Sequence, residues 1–142
     1  MAVCTFFGHR DCSDTVRPAL RRVVVELIEG HKAEVFYVGD RGSFDRMVRG
    51  ILRELVPSYP HIRYAVVLAY LPGPLDREEP DTMLPEGLEL VCPKYAISRR
   101  NDWMLRHADM VATYVTHPWG GAAKFSEKAR RMGKQVFSPA QL

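Results

Sequence analysis

The amino-acid sequence predicts an α/β protein: a three-layer, Rossmann-like parallel sheet with helices on both faces, forming a single domain over residues 1–142. Three observations carry this. Short apolar, β-prone segments alternate along the chain with longer segments whose apolar residues recur at helical spacing. Glycines stand where strands hand over to helices, at Gly8, Gly39 and Gly120-Gly121. A length of 142 residues, 46% apolar and 26% charged, is that of an ordinary globular domain able to bury its core without disulfides or metal.

The elements follow in order. Residues 3–7 read as a buried first strand ending at Gly8. Ser13 or Asp14 caps a helix with Val16, Leu20, Val23, Val24 and Leu27 on one stripe; Pro18 is tolerated in its first turn and Gly30 ends it. Residues 34–38 form the second strand, closed by Gly39. Ser43 is expected to cap the second helix, where Phe44, Met47, Val48, Ile51, Leu52 and Leu55 share a face. Pro57 and Pro60 stop that helix. Residues 62–70 are apolar enough for a strand buried on both faces. Residues 71–87, with four prolines, two glycines and five acidic residues, form the one long loop, read as a lid or a solvated excursion. A short extra strand is expected at 88–92, a third helix from Ser98 to about His107, and a strand at 110–116. A last helix runs from Gly120-Gly121 to Met132, capped by Gly133, and residues 135–138 close the sheet.

Composition excludes several classes. The longest apolar run, residues 64–71, has eight residues, against the ~20 needed to span a bilayer. Arg10 and Asp11 interrupt the N-terminal apolar segment before a signal-peptide core forms. Three cysteines without C-x-x-C spacing, and five histidines without an i,i+4 pair, give neither a disulfide framework nor a metal site. Cys12 lies close to His9 in sequence, but no third group is visible to orient such a pair. A cytoplasmic protein without metal or cofactor is expected. Net charge is only +3, too weak to name nucleic acid as partner. The basic residues are skewed, with fifteen Arg to five Lys, and guanidinium suits phosphate.

Ligands of open parallel sheets sit beyond the carboxyl ends of the strands. There the sequence places Gly8, His9 and Arg10; then Gly39, Gly42, Phe44 and Asp45; then Trp119, Gly120, Gly121 and Lys124. Each group turns a strand into a helix N-terminus, where free N–H groups favour an anion. Neither G-x-G-x-x-G nor G-x-x-x-x-G-K-[ST] is present, so standard dinucleotide and P-loop modes are not expected. Arg99, Arg100 and Asn101 fall in the first turn of the helix expected from Ser98. Cations there oppose the helix dipole, which suggests that they hold a phosphate. Trp119, beside the glycine pair, could stack on a base, whereas Trp103 reads as packing.

The ordered set Gly8-His9-Arg10, Gly39-x-x-Gly42-x-Phe44-Asp45, Ser98-Arg99-Arg100-Asn101-Asp102-Trp103-Met104 and Gly120-Gly121-Ala122-Ala123-Lys124 resembles the SLOG superfamily (Smf/DprA–LOG), in its small bacterial and phage branch. The resemblance covers almost the whole chain. It implies a Rossmann-like domain that binds nucleotides or nucleotide-derived, ADP-ribose-like molecules, some members being enzymes and others sensors. The enzymatic relatives are the lonely-guy phosphoribohydrolases, which cleave the N-glycosidic bond of nucleoside monophosphates. By that resemblance Arg100 and Glu127 would be catalytic. The chain departs from their pattern at Asn101, Trp119, Ala123 and Lys124, so binding with at most residual hydrolysis is expected. Single-stranded DNA binding is a further alternative, resting on the basic pairs Arg21-Arg22 and Arg130-Arg131. A homodimer is compatible with the sequence, and no membrane partner is expected.

Overall fold

The computed structural model describes residues 2–71 and 81–138. Strand β1 (Ala2–Gly8) sits centrally, and its period-two alternation sends Cys4 and Phe6 to one face and Thr5 and Phe7 to the other, all buried. Around it stand β2 (Ala33–Val38), β3 (Arg63–Val67), β4 (Thr82–Met83), β5 (Met110–Tyr114) and β6 (Gln135–Phe137). Every pairing is parallel, and the spatial order is β4-β3-β2-β1-β5-β6.

Parallel neighbours require crossovers, and the fully described ones contain helices that cover the two faces separately. Helices α1 (Arg17–Glu29) and α2 (Gly42–Leu55) pack Leu20, Val24, Leu27, Val48, Ile51 and Leu52 against Phe6, Phe36 and Val38. Helices α3 (Pro93–Arg106) and α4 (Gly121–Arg131) pack Met104, Leu105, Phe125 and Ala129 against Phe7, Val67 and Val111 on the other face. This is the three-layer α/β fold that the alternation predicts. Among the described residues no helix is long and apolar enough to cross a membrane.

Several boundaries differ from expectation, each for a local reason. Ser13 does cap, but its Oγ accepts from Thr15 N–H over the short 3₁₀ turn Asp14–Val16 that leads into α1. Helix α2 begins at Gly42, so Ser43 lies inside its first turn; its hydroxyl instead bonds the carbonyls of Arg10 and Cys12, at 2.7 and 3.0 Å. The third strand is shorter than 62–70. Residues 88–92 hold a 3₁₀ turn, Leu88–Leu90, entered through Gly87 at φ 83°, and not a strand. The added strand is β4 instead, pairing Thr82 and Met83 with Val66 and Val67. Helix α3 starts at Pro93 rather than Ser98, because proline is already shaped for a first helical turn. Arg99 and Arg100 therefore stand in mid-helix, and the dipole argument made for them does not apply. Most of the 71–87 loop, residues 72–80, lies outside the described residues.

Candidate functional site

The chain leaves β1 toward α1 on one face and leaves the adjacent β5 toward α4 on the other. Such a divergence opens a crevice between neighbouring strand ends. A cavity of about 370 Å³ lies there, within the ~300–1,000 Å³ typical of small-molecule sites. Its walls come from four segments: residues 8–11 after β1, Arg41 and Asp45 at the start of α2, one side of α3, and residues 117 and 120–122 leading into α4.

Of the residues proposed from sequence, Gly8, His9, Arg10, Asp45, Arg100, Asn101, Gly120 and Gly121 meet on this wall. The others stand elsewhere. Phe44 is wholly buried, and its ring occupies the space a Gly8 side chain would need, 2.2 Å from an ideal Cβ. Gly8 is thus required by packing. Gly42 lies behind the wall against the Arg10 backbone, and Gly39 beneath it, against Asp45 and Arg100. Trp119 is exposed outside the cavity, Lys124 lies over the Phe125 ring, and Glu127 is exposed on α4 away from the wall. Among the described residues Lys124 and Glu127 form no ion pair; the neighbouring Lys128 pairs with Asp102.

The α4 end of the cavity is built from backbone. Gly120 adopts φ 92°, ψ 174°, a conformation essentially reserved for glycine, and no side chain caps the helix. The first intrahelical bond is made by Lys124 N–H to Gly120 O, which leaves the earlier amides as open donors. An ideal Cβ on Gly121 would meet nothing within 4 Å. Free amides and clear space thus face the cavity together.

The opposite wall carries charge. Arg100 is 2% exposed; its Nη1 donates to Asp40 Oδ1 and to the Val67 carbonyl, both at 2.8 Å, and its Nε to Asn101 Oδ1 at 2.8 Å. A buried guanidinium held by these three hydrogen bonds is a structural anchor as well as a wall. Asp45 Oδ2 accepts the Arg41 N–H at 3.1 Å. Burial pushes its carboxyl up to about 6, although Arg100 and the Arg41 N–H pull the other way.

Three rings stack beside these groups. His9 lies on His117 at 3.6 Å between centroids, and His117 on Trp119 at 4.0 Å. Thr116 N–H donates to His9 Nε2 at 2.9 Å, so that nitrogen is the acceptor and the proton of the neutral ring sits on Nδ1. Burial, and then the adjacent His117, hold the His9 imidazole below its ordinary range, in keeping with a neutral ring. His117 Nδ1 is buried without a partner among the described residues. Cys12 is buried, and burial together with Asp11 and Asp14 pushes its thiol up, away from the thiolate a nucleophile needs.

Sequence reasoning missed Asp11, Arg41, His117 and the α3 residues Ile97 and Met104. His117 was within reach. Pairing β1 with β5 aligns Gly8 with Tyr114, so a histidine just beyond each strand end becomes a neighbour of the other. Among the described residues no cluster of three or more His, Cys, Asp or Glu could hold a metal ion. The fold and the crevice define a Rossmann-like α/β domain with a cavity of mixed polar and apolar lining at its switch point. No protein-family model and no curated protein matches the chain.

Proposed function

We propose that this protein is a SLOG-type binding domain whose cavity takes a nucleotide or a nucleotide-derived, ADP-ribose-like molecule, as sensor or carrier. The observation that carries the reading is the uncapped N-terminus of α4 opening into the cavity through Gly120 and Gly121. Open amides and the helix dipole suit a phosphate. Arg10 on the facing loop adds a positive charge, and His9 adds a neutral imidazole. The aromatic stack beside the cavity offers a face on which a base can lie.

The phosphoribohydrolase alternative is not favoured. Its carboxylate, Glu127, is exposed away from the wall, and its arginine, Arg100, is committed to Asp40, Val67 and Asn101. Nor is single-stranded DNA favoured, because neither Arg21-Arg22 nor Arg130-Arg131 contributes to the cavity wall. A thermal-shift panel of AMP, NAD, ADP-ribose, cyclic ADP-ribose, inorganic phosphate and a DNA oligonucleotide tests the reading. A ligand at 100 times its Kd stabilises by about 2.7 kcal/mol, an easily measured shift. One or more nucleotides should raise Tm. A panel that leaves Tm unchanged, or responds to DNA alone, overturns the proposal.

A further inference from the structure

Two carboxylates stand near the C-terminal end of β2, Asp40 held by a guanidinium and Asp45 by a backbone N–H. Asp40 Oδ1 receives Arg100 Nη1 at 2.8 Å and lies 3.7 Å from Arg41 Nε. Asp45 uses Oδ2 for the Arg41 N–H, while its Oδ1 has no partner among the described residues, although the residue is 9% exposed and part of the cavity wall. Oδ1 is not among the fully buried polar atoms left without a partner, so it keeps accessible surface on the cavity wall and is open to a donor. Arg100 shows the complementary shortfall. Its Nε and Nη1 are engaged, while Nη2 has no partner among the described residues, and it too forms the wall.

The two groups are neighbours because of Gly39. An ideal Cβ there would lie 2.4 Å from Asp45 Oδ2 and 3.0 Å from Arg100 Nη1, so the missing side chain lets the carboxylate and the guanidinium stand side by side with their engaged atoms toward Gly39. An acceptor beside a donor, both facing one cavity, fits a ligand that gives and takes hydrogen bonds from adjacent atoms. An amine would answer Asp45 but would meet the charges of Arg100, Arg41 and Arg10. A pair of adjacent hydroxyls answers both without adding charge.

We infer that Asp45 and Arg100 read the vicinal diol of a ribose, with one hydroxyl donating to Asp45 and the other accepting from Arg100. The inference rests on the proposal that the cavity takes a nucleotide-type ligand, and it adds that the ligand is a ribo- and not a deoxyribo-compound. In this arrangement the phosphate lies on the α4 amides and the sugar, its covalent neighbour, on Asp45. Asp45 is then a specificity-determining residue.

Calorimetric titration of the wild-type protein with AMP, 2′-deoxy-AMP, 3′-deoxy-AMP, ribose 5-phosphate, 2-deoxyribose 5-phosphate and inorganic phosphate tests this. Loss of either hydroxyl should weaken AMP by about tenfold or more, the worth of a hydrogen bond to a charged group. Ribose 5-phosphate should exceed its 2-deoxy form likewise, which separates sugar recognition from base recognition. In Asp45→Asn the ribo/deoxy ratio should fall toward one while phosphate affinity holds. Equal affinities for AMP and both deoxy forms in the wild type overturn this inference and leave the binding proposal standing. Binding of none of these phosphates overturns this inference, and if NAD, ADP-ribose and cyclic ADP-ribose also fail to bind, the binding proposal falls with it. An Asp45→Asn protein that keeps the full ribo/deoxy ratio shows that other residues read the sugar, and also overturns it.

Discussion

Asp45 exists in a conformational setting that costs the folded protein something. Its carboxyl, ordinarily near 3.8, is held up to about 6, so the folded chain keeps this proton more tightly than the unfolded one. The resulting contribution to stability is fully present below about pH 3.8 and is lost as pH rises through about 6. At pH 7.5 the ionised side chain is therefore a net burden. Replacing Asp45 by Asn, which keeps the shape and an acceptor for the Arg41 N–H, should stabilise the protein at that pH by up to about 3 kcal/mol. The gain should shrink toward zero near pH 4. Urea denaturation at the two pH values checks it, and an equal effect at both would place the Asp45 carboxyl in the ordinary range. A residue kept at such a cost is what a binding site requires. Arg100 behaves in the opposite sense. At a helix start it would oppose the dipole; in mid-helix, buried against Asp40 and the Val67 carbonyl, it holds the fold together. Arg100→Ala leaves Asp40 and Asp45 without their guanidinium and should cost about 3–5 kcal/mol, the usual result of breaking a buried ion pair from one side. Thermal or urea denaturation reads this directly, and a loss below 1 kcal/mol would show that water replaces the guanidinium freely.

Helix α4 brings its backbone to the cavity, and its two leading glycines do different work. Gly120 needs its positive φ, so Gly120→Ala should cost about 1–3 kcal/mol in strain. Gly121 has no such φ and no neighbour within 4 Å of an added methyl, so Gly121→Ala should leave stability within about 0.5 kcal/mol. The methyl would stand where a phosphate approaches the amides, and phosphate or AMP affinity should fall. Calorimetry on the folded Gly121→Ala protein separates the two effects. Undiminished binding would remove α4 from the site. The glycine pair and its helix were legible in sequence because a strand, two glycines and an apolar stripe occur together. Helix α3 was less so. Ser98 is a good cap signal and Pro93 an equally good start, and nothing local chooses between them; the packing of Ala96 beneath the helix favours the earlier start. That difference turned Arg100 from a phosphate-holding cation at a helix start into a buried mid-helix residue of the cavity wall.

The alternation of strands and helices was enough to predict the parallel three-layer sheet, because each apolar segment has one way to bury itself between two helix layers. The strand order also follows once β1 is central, but the short β4 was misplaced to 88–92, since two residues carry no periodicity. The site was legible where it depended on strand ends and hidden where it depended on pairing across the sheet. His117 against His9 follows only once β1 and β5 are known to pair, and the approach of Asp45 and Arg100 over Gly39 belongs to the folded molecule alone. Those contacts bear on turnover. N-glycosidic cleavage needs a carboxylate placed against the sugar and water held in line, since positioning supplies much of the rate. Glu127 is exposed beyond the wall, and Asp45, which is on it, is assigned here to holding hydroxyls. Incubation of the pure protein with AMP should therefore release no adenine above the uncatalysed background by chromatography, and Glu127→Gln should change nothing. Adenine release that persists in Glu127→Gln but vanishes in Asp45→Asn would make Asp45 the carboxylate of an N-glycosidase. Release that vanishes in Glu127→Gln would mean that α4 rotates its exposed face into the cavity on binding, and the binding-only reading would fall.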